Sequence, residues 1–173
     1  MNSNTLSGEV LSSQQHPSPY IVKRSRTVQN ECITFGIAGE RFGIDIMAVR
    51  EIRAWSPVTR LPSVPDYVAG VVNLRGSVLP VIDLAARLGW APTDANPRNP
   101  VIVIEHKGEL RGLIVHDVAD IVTIEEKTLQ GRDQQGNEAL ASFLTAIAPL
   151  GDDMVMVLDL NQLISDETFD LAA

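Results

Sequence analysis

The chain is poor in the residues that most catalytic and redox chemistry needs. Cys32 is its single cysteine, so no intrachain disulfide forms, and a reducing compartment suits it. No CxxC, HExxH, P-loop or GxGxxG pattern occurs, which removes the common zinc, metalloprotease and nucleotide-binding readings. Aromatic residues make up only 5%, so a core must be packed from Val, Ile and Leu, which favours strands. Basic residues are outnumbered, 14 Lys and Arg against 22 Asp and Glu, for a net charge of −8. The deficit is uneven. Residues 1–30 set Glu9 against Lys23, Arg24 and Arg26, a balance of +2, so the remainder carries −10. From Gly151 onward there are six acids and no Lys or Arg. A body this acidic repels phosphate backbones and anionic lipid, which argues against nucleic acid and direct membrane insertion. Purely aliphatic runs such as Val101–Ile104 fall far short of the ~20 residues that span a bilayer. The first residues, Met1-Asn-Ser-Asn-Thr, put no basic region ahead of an apolar stretch, so no secretory signal is expected. The expectation is a cytoplasmic protein of roughly one domain, without cofactor or metal.

The segment Gly70–Leu84, Gly-Val-Val-Asn-Leu-Arg-Gly-Ser-Val-Leu-Pro-Val-Ile-Asp-Leu, is the most informative. Two apolar strand-like runs flank a polar turn at Asn73–Gly76, and a helix-like pattern opens after Asp83. The segment holds no nucleophile, metal ligand or phosphate cradle. It offers a shaped surface, a turn presenting Asn73 and Arg75, and so points to recognition of another protein.

Residues 1–30 are Ser-, Gln- and Asn-rich and read as a disordered tail, with Tyr20, Ile21 and Val22 as its only apolar cluster. From Glu31, Ile33, Phe35 and Ile37 alternate, then Phe42, Ile44 and Ile46. A turn at Ala38–Arg41 sets Ile37 opposite Phe42, Phe35 opposite Ile44 and Ile33 opposite Ile46, a half-buried hairpin. Cys32 then faces away and has no reactive partner nearby. Val101–His106 and Arg111–His116 form a similar hairpin.

The two hairpins belong to a longer repeat. A shift of 69 matches Gly39 to Gly108, Glu40 to Glu109, Gly43 to Gly112, Val49 to Val118 and Ile52 to Ile121. A shift of 76 matches Val81 to Val157 and Asp83-Leu84 to Asp159-Leu160. An internal duplication accounts for this. Pro92, Pro97 and Pro100 mark a connector between the halves, about 31–90 and 98–166, and the duplication leaves room for strand exchange between them. Gln130–Ser142 reads as a surface loop and 167–173 as a C-terminal tail. The fold class is all-β with short helices.

Asp83 and Asp159 each end an apolar strand and begin a short helix, so both are expected to cap helices rather than work as an acid–base pair. In the expected register His106 faces Arg111 and His116 faces Val101, too far apart to share a metal. His16 lies in the tail.

Gly70–Leu84, together with Phe42-Gly-Ile-Asp-Ile-Met-Ala-Val-Arg-Glu-Ile-Arg53 and Val58-Thr-Arg-Leu-Pro62, resembles the diagnostic runs of CheW, the coupling protein family of bacterial chemotaxis. The resemblance covers about Glu31 to Ser165. It implies two five-stranded, SH3-like β-barrels side by side and a non-catalytic adaptor. The implied partners are a CheA-type histidine kinase, through its CheW-like regulatory domain, and the cytoplasmic tips of methyl-accepting chemotaxis receptors. The chain would be recruited from the cytoplasm to membrane-associated receptor arrays. With no receiver domain after the matched region, the chain does not read as the CheV type. The resemblance places receptor binding in an inter-barrel groove, at Val49, Glu51, Gly70, Asn73, Arg75 and Gly76. Val49 would line the slot, Gly70 would admit a partner backbone, and Glu51 would orient Arg75. Glu51–Arg75 also reads as a tie between a short helix and a hairpin, and residue chemistry leaves both readings open. No local motif marks the kinase-binding face. Two further readings are a same-fold adaptor of a non-chemotactic or pilus-motility array, and a small-ligand-binding barrel.

Overall fold

The computed structural model describes residues 29–125 and 138–165. Most of the expected N-terminal tail, including Tyr20–Val22, the C-terminal tail and most of the loop read at 130–142 lie outside them. The chain forms β1 (Gln29–Ile37), β2 (Glu40–Asp45), a 3-10 turn (Ile46–Ala48), β3 (Val49–Ala54), β4 (Val68–Leu74), β5 (Ser77–Asp83) and α1 (Leu84–Arg87). There follow β6 (Pro100–His106), β7 (Glu109–Ile114), β8 (Asp117–Glu125), α2 (Glu138–Ala141), β9 (Leu144–Leu150), β10 (Asp153–Leu158) and α3 (Leu160–Ile164). Two boundaries shift from expectation. Gln29 and Asn30 are strand, paired with Glu125 and Ile124, and α2 occupies the end of the expected loop.

The strands make two five-stranded sheets, in the orders β8-β1-β2-β10-β9 and β3-β6-β7-β5-β4. Replacing each strand of one by its partner in the duplication (β1 by β6, β2 by β7, and so on) gives the other. Each sheet therefore takes strands from both sequence halves. The seam in each is a parallel pair, β10 on β2 and β5 on β7, and it sets Val157 beside Gly43 and Val81 beside Gly112. These glycines are 69 residues apart and the valines 76. A Cβ at Gly112 would lie 3.0 Å from the Val101 side chain, and one at Gly43 3.1 Å from Val155, so at either site a larger residue would push a valine side chain aside by a few tenths of an ångström.

Both early hairpins are tighter than expected. Ile33 pairs with Ile44 and Phe35 with Phe42, and His106 with Glu109. The turns are the two-residue pairs Ala38-Gly39 and Lys107-Gly108, all four with positive φ, which matches the right-handed twist of the strands. Arg75-Gly76 does the same between β4 and β5, so Asn73 belongs to β4. The slip is two residues, and two residues preserve the face. Phe35, Ile37, Phe42 and Ile44 are fully buried.

β1 is not half-buried. Every residue from Cys32 to Ile37 is buried, because its two faces serve two cores. Ile33, Phe35 and Ile37 join Phe42, Ile44, Ile82, Ile102, Ile104 and Leu113 in one cluster shared by both sheets. Cys32 points into its own sheet with Ile124 and Ala148. Burial, with the Asp45 charge across the strand pair, pushes the Cys32 thiol up to about 11. Two units above the ordinary 9.0 leave about 100-fold less thiolate near neutrality. Iodoacetamide at pH 8 should label the folded chain at least that much more slowly than the unfolded one, and equal rates would contradict this packing.

Across the shared core the halves are tied by polar contacts. Arg87 lies 4.5 Å over the Tyr67 ring and 4.7 Å over Phe143, two residues related by the 76 shift, and donates to the carbonyls of Leu163 and Gln162. Asp83 Oδ1 accepts from the N–H groups of Ala85 and Ala86, and Asp159 Oδ1 from Asn161 and Gln162, so both cap short helices. His116 does not face Val101, because β7 stops at Ile114 and Val101 pairs with Ile114. Its Nδ1 accepts the Ala38 N–H at 3.1 Å. That leaves Nε2 to donate to Thr93 Oγ1 at 3.2 Å, whose own proton goes to Asp83 Oδ1 at 2.8 Å.

Candidate functional site

Apart from Gly70, the expected site residues lie on β3 and at the β4–β5 turn, at the edges of the second sheet. β3 and β4 are those edges. The chain after β3 crosses to β4, where Thr59 and Val71 exchange both backbone hydrogen bonds, at 2.8 and 2.9 Å. At the other end the side chains close the gap. Glu51 Oε2 on β3 accepts from Arg75 Nη2 in the β4–β5 turn at 2.7 Å. Arg53 Nη1 stands 3.7 Å from the other Glu51 oxygen. One carboxylate thus faces two guanidinium groups, and the Arg75 contact is a single hydrogen bond rather than a fork.

The turn that carries Arg75 is held from within. Asn73 Oδ1 accepts the Gly76 N–H at 2.9 Å, and Arg75 itself adopts φ 50°. The Arg75 side chain is 77% exposed and Glu51 26%. The result is a guanidinium that stands in solvent with its position set by a turn and a carboxylate. Such a group suits a charge-assisted contact with another molecule.

Val49 starts β3, half-buried, opposite Ile104, and a bulge separates it from Glu51. Arg50, within the bulge, reaches Glu105 at 2.7 Å, and that hydrogen bond holds the Glu105 carboxyl below its ordinary range. Val49, Glu51, Asn73, Arg75 and Gly76 line the β3 edge and the turn. Gly70 stands apart, toward the other end of β4. A Cβ there would sit 2.3 Å from Thr59 O, at φ 147°, so the backbone it admits is the chain's own. Gly70→Ala should cost about 1–3 kcal/mol through the backbone conformation alone, before the clash is counted. A denaturant midpoint equal to the parent's would overturn that role.

Two apolar neighbours escaped the sequence reading. Val78 is 66% exposed and pairs with Asn73 across the hairpin, hence on its face. Met47, in the 3-10 turn just before Val49, is 80% exposed. Val78 lies in one of the apolar strand-like runs beside the turn, and Met47 follows directly on the alternation that ends at Ile46, so no pattern singled out either. Among the described residues no group of three His, Cys, Asp or Glu could hold a metal, and no helix is long and apolar enough to cross a membrane.

Known proteins share this sequence pattern and this fold. Residues 31–168 match the family model described as a CheW-like domain. A probable chemotaxis protein CheW of Rhizobium etli is 39% identical over 147 residues, covering 85% of this chain and 95% of that protein. The chemotaxis protein CheW of Rhizobium meliloti is 36% identical over 137 residues, 79% of this chain and 88% of its own. The crystal structure of the scaffolding protein TtCheW from Thermoanaerobacter tengcongensis superposes with a TM-score of 0.72 at 28% identity, covering 81% of this chain and 95% of that one.

Proposed function

The chain belongs to the CheW-like family, and we propose that it is a non-catalytic adaptor coupling methyl-accepting chemotaxis receptors to a CheA-type histidine kinase. The observation that carries the reading is the exposed Arg75 guanidinium, fixed by Glu51 and by a turn that Asn73 holds. A receptor tip of this class is a helical hairpin. Such a partner asks for an apolar slot with a few fixed polar groups. Val49, Val78 and Met47 offer the apolar surface, and Glu51, Asn73 and Arg75 the polar part. The rigidity matters, because groups already ordered lose little entropy on binding. Gly76 keeps its place as a turn residue, and Gly70 supports the surface by seating residue 59 rather than touching the receptor. The kinase would use another face, and the adaptor would be recruited from the cytoplasm to receptor arrays.

The test is reconstitution. The purified chain, a CheA-type kinase and receptor cytoplasmic fragments from the same cell should form a ternary complex in which kinase activity responds to the receptor. Omitting the chain should uncouple the two. Kinase control that persists without it, or turnover of a metabolite by the chain alone, would overturn the reading.

A further inference from the structure

The ion cluster at the β3 edge holds more positive charge than the fold uses. Glu51, Arg53 and Arg75 set two guanidinium groups against one carboxylate, a local charge of +1 in a chain of net charge −8. Arg50, the next cation along β3, is already matched by Glu105. Arg75 gives one N–H to Glu51. Arg53 gives none among the described residues, because its Nη1 stands 3.7 Å from Glu51 Oε1, beyond hydrogen-bond reach. A guanidinium carries several N–H donors in a fixed fork, so most donors on both groups face no protein acceptor. Both groups can be reached from outside, with the Arg53 side chain 35% exposed and that of Arg75 77%. Neither is loose. Arg75 is set by its turn, and Arg53 lines a space of only about 10 Å³ with Trp55 and Val72.

The duplication shows that the fold does not ask for these charges. Shifts of 69 and 76 place Asp120, Val122 and Gly151 where the second sheet has Glu51, Arg53 and Arg75. The first sheet forms the same strand order without either guanidinium. What folding needs is kept in both copies, as with the helix caps Asp83 and Asp159. The two arginines belong to one copy alone, and that copy carries the recognition turn.

We propose that Arg53 and Arg75 together form a carboxylate-binding site, filled by an acidic side chain of the receptor tip. The inference rests on the adaptor reading above and adds to it a residue, Arg53, and a partner chemistry. The charge count selects the ligand. Two guanidinium groups with one carboxylate between them lack a single negative charge, and a second carboxylate supplies it. A dianionic phosphate would overshoot that balance and stand against Glu51. A carboxylate is also the planar acceptor that a guanidinium fork fits. The packed Arg53 stem and the held Arg75 turn mean that little side-chain freedom is lost when the acid arrives.

The experiment is a double-mutant cycle across the contact, with the full chain and a receptor cytoplasmic fragment from the same cell. Arg53→Gln should lower receptor affinity about tenfold and leave the denaturant midpoint and kinase affinity at the parent's values. Arg53→Lys, which keeps the charge, should bind more tightly than Arg53→Gln. Acidic residues of the receptor tip are then changed one at a time to their amides, and each fragment is titrated against the parent chain and against Arg53→Gln. One acid should cost about tenfold with the parent and almost nothing with Arg53→Gln, the coupling expected of groups in direct contact. Parent-like affinity in Arg53→Gln, or losses that simply add at every acid, would overturn the carboxylate site and leave the adaptor reading standing. A parent chain that binds no receptor fragment would overturn both.

Discussion

Ile44→Ala and Ile104→Ala are each expected to lower the unfolding free energy by about 2–5 kcal/mol, as truncation of fully buried aliphatic side chains does. Both residues are inaccessible to solvent and belong to the same cluster, although Ile44 sits on β2 in one sheet and Ile104 on β6 in the other. The size of the loss is less telling than its form. Two independent barrels would show two transitions, and each substitution would move only its own. A shared core with exchanged strands predicts one transition that either substitution moves, with an unchanged denaturant slope. Chemical denaturation followed by tryptophan fluorescence and far-ultraviolet dichroism on each variant decides it. Noncoincident transitions would show that the sheets fold separately, and near-neutral values at both would contradict the burial.

The duplication was readable because its strongest demands are local. Asp83 and Asp159 cap helices, Gly39 and Gly108 carry positive φ in equivalent turns, and Gly43 and Gly112 lie against equivalent positions, Cys32 and Val155 for one and Val101 and Leu79 for the other. Each constrains one residue type, and the repeats keep it. Which strand pairs with which has no such signature. The parallel contacts of β10 with β2 and β5 with β7 join segments far apart in the chain, and a buried Val reads the same beside any neighbour. Register failed by two residues in both hairpins for a related reason. Alternation defines the face but not the turn length, and only the positive φ at Ala38 and Lys107 shows that the loop is two residues. At the site, Glu51 and Arg75 lie 24 residues apart and meet only because the sheet edges close on each other. Their pairing was legible through the family resemblance rather than from spacing. Gly70 was legible as a close approach, but not as one made by Thr59.

Replacing Arg75 by Ala should separate folding from binding more sharply than any other single change. The side chain is 77% exposed and its bond to Glu51 is single, so stability should fall by no more than about 0–1 kcal/mol. The turn is kept by the Asn73–Gly76 bond, which the substitution does not touch. Receptor affinity should fall by about 2–5 kcal/mol, the range for a charged hydrogen-bonding group lost from an interface, while kinase binding should stay near the parent value. Arg75→Lys refines the point. An ammonium can keep one contact to Glu51 but offers a receptor no planar pair of donors, so Lys should restore stability fully and affinity only in part. Glu51→Ala should weaken the receptor less than Arg75→Ala, because the guanidinium stays and loses only its orientation. In the double variant, a further loss well short of the sum would place both side chains in one recognition element. Unfolding, kinase binding and receptor binding measured on the same four proteins make the comparison. Parent-like receptor affinity in Arg75→Ala would remove this surface from the receptor contact. A stability loss of several kcal/mol would instead make the pair a strut that closes the sheet.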